Sequence, residues 1–229
     1  MTVSKLATLP ALGGSHGARF KAGQPRLIVV HCTESPLKAG QARFRMGLLA
    51  ARGDASAHYL VDPEAIAAGV DEDLIAWGAG TVNPAAIHVE FVGYASYTRA
   101  QWTTPDGLDM LQLGGKLIAE IAARRHIPLR YLTNTETKAA YQGHQGSGGL
   151  TTHAQCTTAI GGTTHHDPGP NFPLDLLLEY ATQEDTVTPQ DIDAIADRVV
   201  TKLMAYEVST IDAAQGSTDA EHRVTYKSA

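Results

Sequence analysis

The sequence predicts an α/β domain, one sheet covered by helices, and three observations carry that reading. Arg26–Cys32, RLIVVHC, is a short β-branched apolar run with the composition of a buried strand. Ile87–Val92, IHVEFV, is a second such run, closed by Gly93. Between Asp106 and His126, Leu108, Leu111, Leu113, Ile118 and Ile121 recur at roughly helical spacing. Strands that alternate with helices in this way build a sheet with covered faces.

The elements follow in chain order. Residues 1–25, rich in Gly, Ala and basic residues, read as an irregular lead-in. The Arg26 run is a strand ending near His31. Ala39–Ala51 suits a helix, with Gly53-Asp54 as its stop. His58–Asp62, HYLVD, and the Ile87 run are further strands. The long helix from Asp106 ends before Pro128, which lacks the N–H needed to continue it. Residues 143–170 hold nine glycines and prolines and read as a 28-residue loop. A connection of that length marks either function or disorder. Asp175–Ala181 reads as a short closing helix, so the main domain spans residues 26–183.

Residues 184–229 differ in character. Thr188-Pro189 with Asp191 is a helix-start signal, and Ile192, Ile195, Val199, Val200 and Leu203 form an apolar stripe on the helix that follows. This helical tail is an interaction or linker element. It can dock on the main domain, pair with a second copy as a route to self-association, or join a further binding segment.

Composition narrows the function classes. With 43% hydrophobic residues in 229, the chain can bury a core without a disulfide scaffold, and two cysteines, Cys32 and Cys156, supply no framework. A net charge of −6 argues against a nucleic-acid partner. No run approaches the roughly 20 apolar residues of a bilayer span, so no membrane insertion is expected. The first residues carry one lysine and no apolar stretch of useful length, which is not a signal peptide. A cytoplasmic location is therefore expected.

Three clusters carry chemistry. His31 to Glu34 stands at a strand end, Thr152 to Cys156 within the long loop, and Thr163 to Pro173 holds His165, His166 and Asp167 among glycines and prolines. Imidazole and carboxylate bind zinc at about 2.0–2.2 Å, and a catalytic site takes three such ligands plus a water. A lone strand-end histidine is more often a polar residue with a local partner. A His-rich loop is equally the composition of a solvated surface. Composition alone does not separate these readings.

Taken in order, "VVHCTES", "SAHYLVD", "AWGAGTVNPAAIHVEFVG" and "THAQC…HHDPGPNFP" resemble the amidase family of N-acetylmuramoyl-L-alanine amidases, phage lysozyme-type amidases and peptidoglycan recognition proteins. The likeness runs from about Arg26 to Tyr180. It implies a central mixed sheet and a Zn2+ cofactor held by His31, His153 and Asp167. It implies Glu90 as general base on the attacking water and His165 as stabiliser of the oxyanion. It also implies peptidoglycan as substrate, cut between N-acetylmuramic acid and L-Ala. A phage endolysin, cytoplasmic until holin action releases it to the cell wall, is the leading expectation. A cytoplasmic muropeptide-recycling amidase and a non-catalytic peptidoglycan-binding module are the alternatives.

The sequence departs from the family pattern in places. Ala57 stands where some phage members carry a catalytic tyrosine, and Tyr59 shares its face of the strand by alternation. Gly78 stands where a histidine often follows the tryptophan, here Trp77. The loop from His153 to Asp167 is longer than in compact relatives. His144, in a Gly-His pair, competes with His153 as second ligand. His58 and His88 read as structural, His166 as adjacent to the site or solvent-facing, and Trp77 as cleft wall or core.

Overall fold

The computed structural model describes residues 2–9 and 11–183. The predicted Thr188 helix and its possible self-association lie outside the described residues.

The Arg26 run forms an interior strand of a five-stranded mixed sheet. Strands β1 (His16–Arg19), β2 (Leu27–Cys32), β3 (Tyr59–Val61), β4 (Ile66–Ala68), β5 (Leu74–Ala76), β6 (Ala86–Phe91) and β7 (Gly149–Thr152) follow in chain order. The sheet runs β4-β3-β6-β2-β7, and β1 pairs β5 in a separate antiparallel ribbon. The pairs β2–β6, β2–β7 and β3–β6 are parallel, while β3–β4 is antiparallel. All six residues of β2 are buried, as expected of an interior parallel strand covered on both faces.

Helices α1 (Gln41–Ala51), α2 (Arg99–Trp102), α3 (Pro105–Arg125), α4 (Asn134–Tyr141), α5 (His153–Ala159) and α6 (Leu174–Thr182) complete the order, with a 3-10 turn over Gly80–Ala85. Helix α3 starts where Thr104 accepts from the Gly107 N–H and Pro105 occupies the first turn. It stops where His126 turns left-handed, with Pro128 two residues on. Gly114 and Gly115 lie in its middle because neighbours come too close for a side chain. A Cβ would lie 2.2 Å from the Phe91 ring at Gly114 and 2.6 Å from Tyr180 Cβ at Gly115. The apolar stripe of α3 and Leu177 of α6 pack with Ile28, Val30, Ile87, Val89 and Phe91.

The other face of the sheet is divided. Its lower half, Leu27, Val29 and Ala86, packs with Val82, Ala140 of α4 and Cys156 of α5. Its upper half, at the carboxyl ends of β2 and β6, carries His31 and Glu90, which are paired in register across the two strands. Both line an open cleft. The carboxyl ends of parallel strands are where open α/β sheets place their ligands.

Two local readings are corrected. The lead-in is tied into the domain: it forms β1, and Ser4 donates from its backbone N–H to Tyr59 Oη (2.6 Å) and from Oγ to Glu120 (2.5 Å). Its small and basic composition masked these long-range partners. The 28-residue loop contains β7 and α5. Here the flanking glycines outweighed the β-branched Leu150–Thr152 run and the Thr152 cap, whose side chain accepts from Gln155 N.

Candidate metal centre

His31 reaches the cleft because β2 alternates, sending Val30 and Cys32 to the α3 side of the sheet. His153 is the first residue of α5, directly after the Thr152 cap at the end of β7. The Ala154 N–H donates to the Asp167 carbonyl at 2.9 Å, which closes the long loop and brings Asp167 beside His153. The three residues converge from positions 31, 153 and 167, and one donor atom from each lies within 4.8 Å of the others.

The cluster is ordered around the Asp167 carboxylate. His31 Nδ1 lies 3.1 Å from Oδ2 and His153 Nδ1 lies 3.0 Å from Oδ1. The Cys32 N–H donates to Oδ2 at 3.3 Å. Each histidine has its far nitrogen engaged as well: His31 Nε2 lies 3.0 Å from His88 Nδ1, and His153 Nε2 lies 2.9 Å from Thr163 Oγ1. Both imidazoles therefore present Nδ1 to the site.

Electrostatics suit a cation. Burial holds the His31 pKa below the usual imidazole value against the raising effect of Asp167, so the ring is neutral and keeps a lone pair. Burial pushes the Asp167 carboxyl up, but hydrogen bonds from His153 and His31 outweigh it and hold it far below the usual range. The group is thus anionic. Burial also holds His88 well below the usual value, with the charges of His31, His58 and His153 adding to it.

Glu90 stands beside this cluster. It is half-buried and lines the cleft, and its Oε2 is sealed from solvent with no hydrogen-bond partner among the described residues. Burial, then the negative charges of Asp167 and Glu34, raise its pKa to about 8. An unpartnered buried carboxyl oxygen costs stability, which marks it as a group awaiting a proton partner. His165 is exposed, and its ring stacks on His153 at 4.6 Å and 8°, with Nδ1 3.6 Å from Asp167 Oδ1. The cleft, about 980 Å³, is also lined by Glu34 and Trp77, the latter 39% exposed.

The remaining expected residues fall outside the cluster. His144 is exposed at a turn and contributes no atom to it. Tyr59 is buried on the opposite side, its hydroxyl on Glu72, and burial raises its pKa strongly. His166 is exposed at the cleft. Burial raises both thiols, Cys156 to about 12, so neither is a nucleophile. His88, read from the sequence as structural, lies directly against His31. Its signal was alternation, since it stands two positions before Glu90 and shares that face.

A family profile described as N-acetylmuramoyl-L-alanine amidase matches residues 21–170. Among solved structures, the hydrolase AmiA of Staphylococcus aureus, crystallised with its ligand, is 21% identical with a TM-score of 0.55, covering 79% of this chain and 85% of that one. A mutant of PlyL is 14% identical with a TM-score of 0.51, covering 80% of this chain and 99% of that one. At these identities the two structures speak for the fold. No curated protein matches the chain in sequence. The profile spans well over half of the chain, including His31, Glu90, His153 and Asp167; the chain belongs to the N-acetylmuramoyl-L-alanine amidase family.

Proposed function

We propose that the chain is a zinc-dependent N-acetylmuramoyl-L-alanine amidase, hydrolysing the amide between the lactyl group of N-acetylmuramic acid and the L-Ala of peptidoglycan, and acting as a phage endolysin. The observation that carries the proposal is the convergence of His31, His153 and Asp167 beside Glu90 at the floor of an open cleft. The endolysin part rests on the phage-lysin form of Thr152–Cys156, and it requires release from the cytoplasm to the wall.

The donor set fits zinc. Two imidazoles and one carboxylate match the His₂-carboxylate pattern of catalytic zinc sites. Donor atoms sharing one tetrahedral zinc stand about 3.3 Å apart, close to the 3.0 and 3.1 Å between Asp167 and the two histidines. When bound, the ion supplies Lewis acidity to the scissile carbonyl and acidifies the attacking water.

The chain's own residues do the rest. Glu90, with a pKa near 8, takes a proton from the attacking water and returns it to the departing L-Ala nitrogen. Positive charge in the site lowers that pKa and readies the carboxylate. His165, exposed at the mouth and stacked on His153, donates a ring N–H to the oxyanion as the carbonyl becomes tetrahedral. Trp77 presents its ring at the cleft wall, where a sugar or peptide plane can lie.

The test is product analysis. Incubation with intact sacculi is expected to release stem peptides with a free L-Ala amine and to clear turbidity. Glu90→Ala is expected to keep zinc and lose about 10²–10⁴-fold in rate. Products cut elsewhere in the peptidoglycan, or cleavage of soluble muropeptides with none of sacculi, would overturn the respective part of the proposal.

A further inference from the structure

His88 has no role in the chemistry above, yet its ring touches a candidate ligand. His31 Nε2 and His88 Nδ1 are 3.0 Å apart. A metal on His31 Nδ1 would take that nitrogen's lone pair, so the hydrogen of the neutral ring would sit on Nε2 and be donated to His88 Nδ1. We propose that His88 is the positioning residue for His31, fixing its ring orientation and tautomer for the metal, and that Gly78 is small to admit it.

Three independent features support this. The first is space: a Cβ on Gly78 would lie 2.6 Å from His88 Cγ and 2.7 Å from its Nδ1. Gly78 is itself pinned, donating its N–H to Asn83 Oδ1 at 3.1 Å. Any side chain at position 78 would therefore displace the ring from His31.

The second is a directed chain of hydrogen bonds behind His88. Its backbone N–H donates to His58 Nδ1 at 3.0 Å, which leaves His58 Nε2 as the nitrogen bearing hydrogen. That Nε2–H donates to the Leu74 carbonyl at 3.0 Å. The His58 and His88 rings stack at 5.9 Å and 18°. The His58 ring thus has one assignment, and it ties the backbone of β6 at His88 to β5 through the residue just before β3.

The third is cost. With Nδ1 accepting, His88 Nε2 carries a hydrogen, and that atom is buried without a partner among the described residues. An apolar side chain of similar size would avoid this penalty. The ring brings one compensating feature, the acceptor facing His31. Hydrogen-bonding the second nitrogen of a ligand histidine orients the ring and tunes its basicity.

This inference rests on the zinc reading, and zinc affinity separates the two. Dissociation constants are measured by chelator competition at pH 7.5 for wild type, His88→Leu, His88→Asn and Gly78→Ala. Urea unfolding of the metal-free proteins is run alongside. Leu keeps bulk without an acceptor, whereas the Asn Oδ1 replaces Nδ1. His88→Leu and Gly78→Ala are expected to weaken zinc binding about 10–100-fold, and His88→Asn by no more than about 3-fold. The His31 Nε2–H resonance of the loaded protein is expected to persist in His88→Asn and shift or vanish in His88→Leu. Equal affinities in wild type and His88→Leu, or equal losses in His88→Leu and His88→Asn, would overturn the positioning role alone. A wild-type chain that took up no zinc would overturn the metal reading and this inference with it.

Discussion

Replacing Glu90 with glutamine is expected to remove a large pH dependence from the stability of the metal-free protein. In the unfolded chain this carboxyl loses its proton near 4.5, whereas burial and the charges of Asp167 and Glu34 keep it protonated to about 8 in the fold. Between those values the folded state binds more protons than the unfolded one. Its stability is full below 4.5 and declines as pH rises through about 8. At about 1.36 kcal/mol per pH unit, the displacement is worth about 5 kcal/mol. The carboxyl lines an open cleft, and solvent screening reduces this to about 2–3 kcal/mol. Glutamine keeps the shape and carries no titrating proton. The assay is urea unfolding of chelator-treated wild type and Glu90→Gln at pH 5 and 8.5. Wild type is expected to lose about 2–3 kcal/mol more than the variant across that interval. The other ionisable groups are common to both proteins and largely cancel in the comparison. Parallel changes in the two proteins would refute the reasoning and leave Glu90 ordinary.

His153→Ala is expected to abolish zinc uptake and His144→Ala to leave it intact, read by metal analysis after dialysis, because only the former reaches the Asp167 cluster. Acid is expected to destabilise the fold through its buried neutral histidines. Burial lowers the His58 pKa to about 4, so its contribution is present above the unfolded value of 6.5 and lost as pH falls through 4. That is about 3 kcal/mol at full displacement, and His58→Gln is expected to show a correspondingly weaker loss between pH 7 and 4.5 in urea unfolding. Gly93→Ala is expected to cost about 1–3 kcal/mol in thermal or urea unfolding. Its Cβ would lie 2.1 Å from the fully buried Trp102 ring, at a φ of +159°.

The elements that position the site were legible in the sequence to different degrees, and the reasons are physical. Strands β2 and β6 declared themselves because a central parallel strand, buried on both faces, is a continuous β-branched run. Helix α3 did so through 3.6-residue spacing and the stop that Pro128 imposes. Strands β4 and β5 have three residues each, too few for a period to register. Strand β7 lay hidden behind Gly148 and Gly149, which are small because Arg26 and Arg130 carbonyls crowd them. Such long-range crowding leaves no local pattern. In the site, His31 and Glu90 lie on two recognisable strands, but their roles came from the family resemblance and not from the strand pattern. The approach of His153 to Asp167 depends on the Ala154 N–H bond across a 14-residue loop, which only the family resemblance anticipated. His88 shows the limit of position-by-position reading. Its partner is 57 residues away, and the space it fills exists because Gly78 lacks a side chain.

The most direct test of the central claim is the zinc content of the purified protein, measured by mass spectrometry of the metal after reconstitution and removal of excess ion. The account predicts about one equivalent in wild type, with its loss in His31→Ala and Asp167→Ala and its retention in Glu90→Ala. Less than about half an equivalent in wild type after reconstitution, or undiminished zinc in the ligand variants, would contradict it.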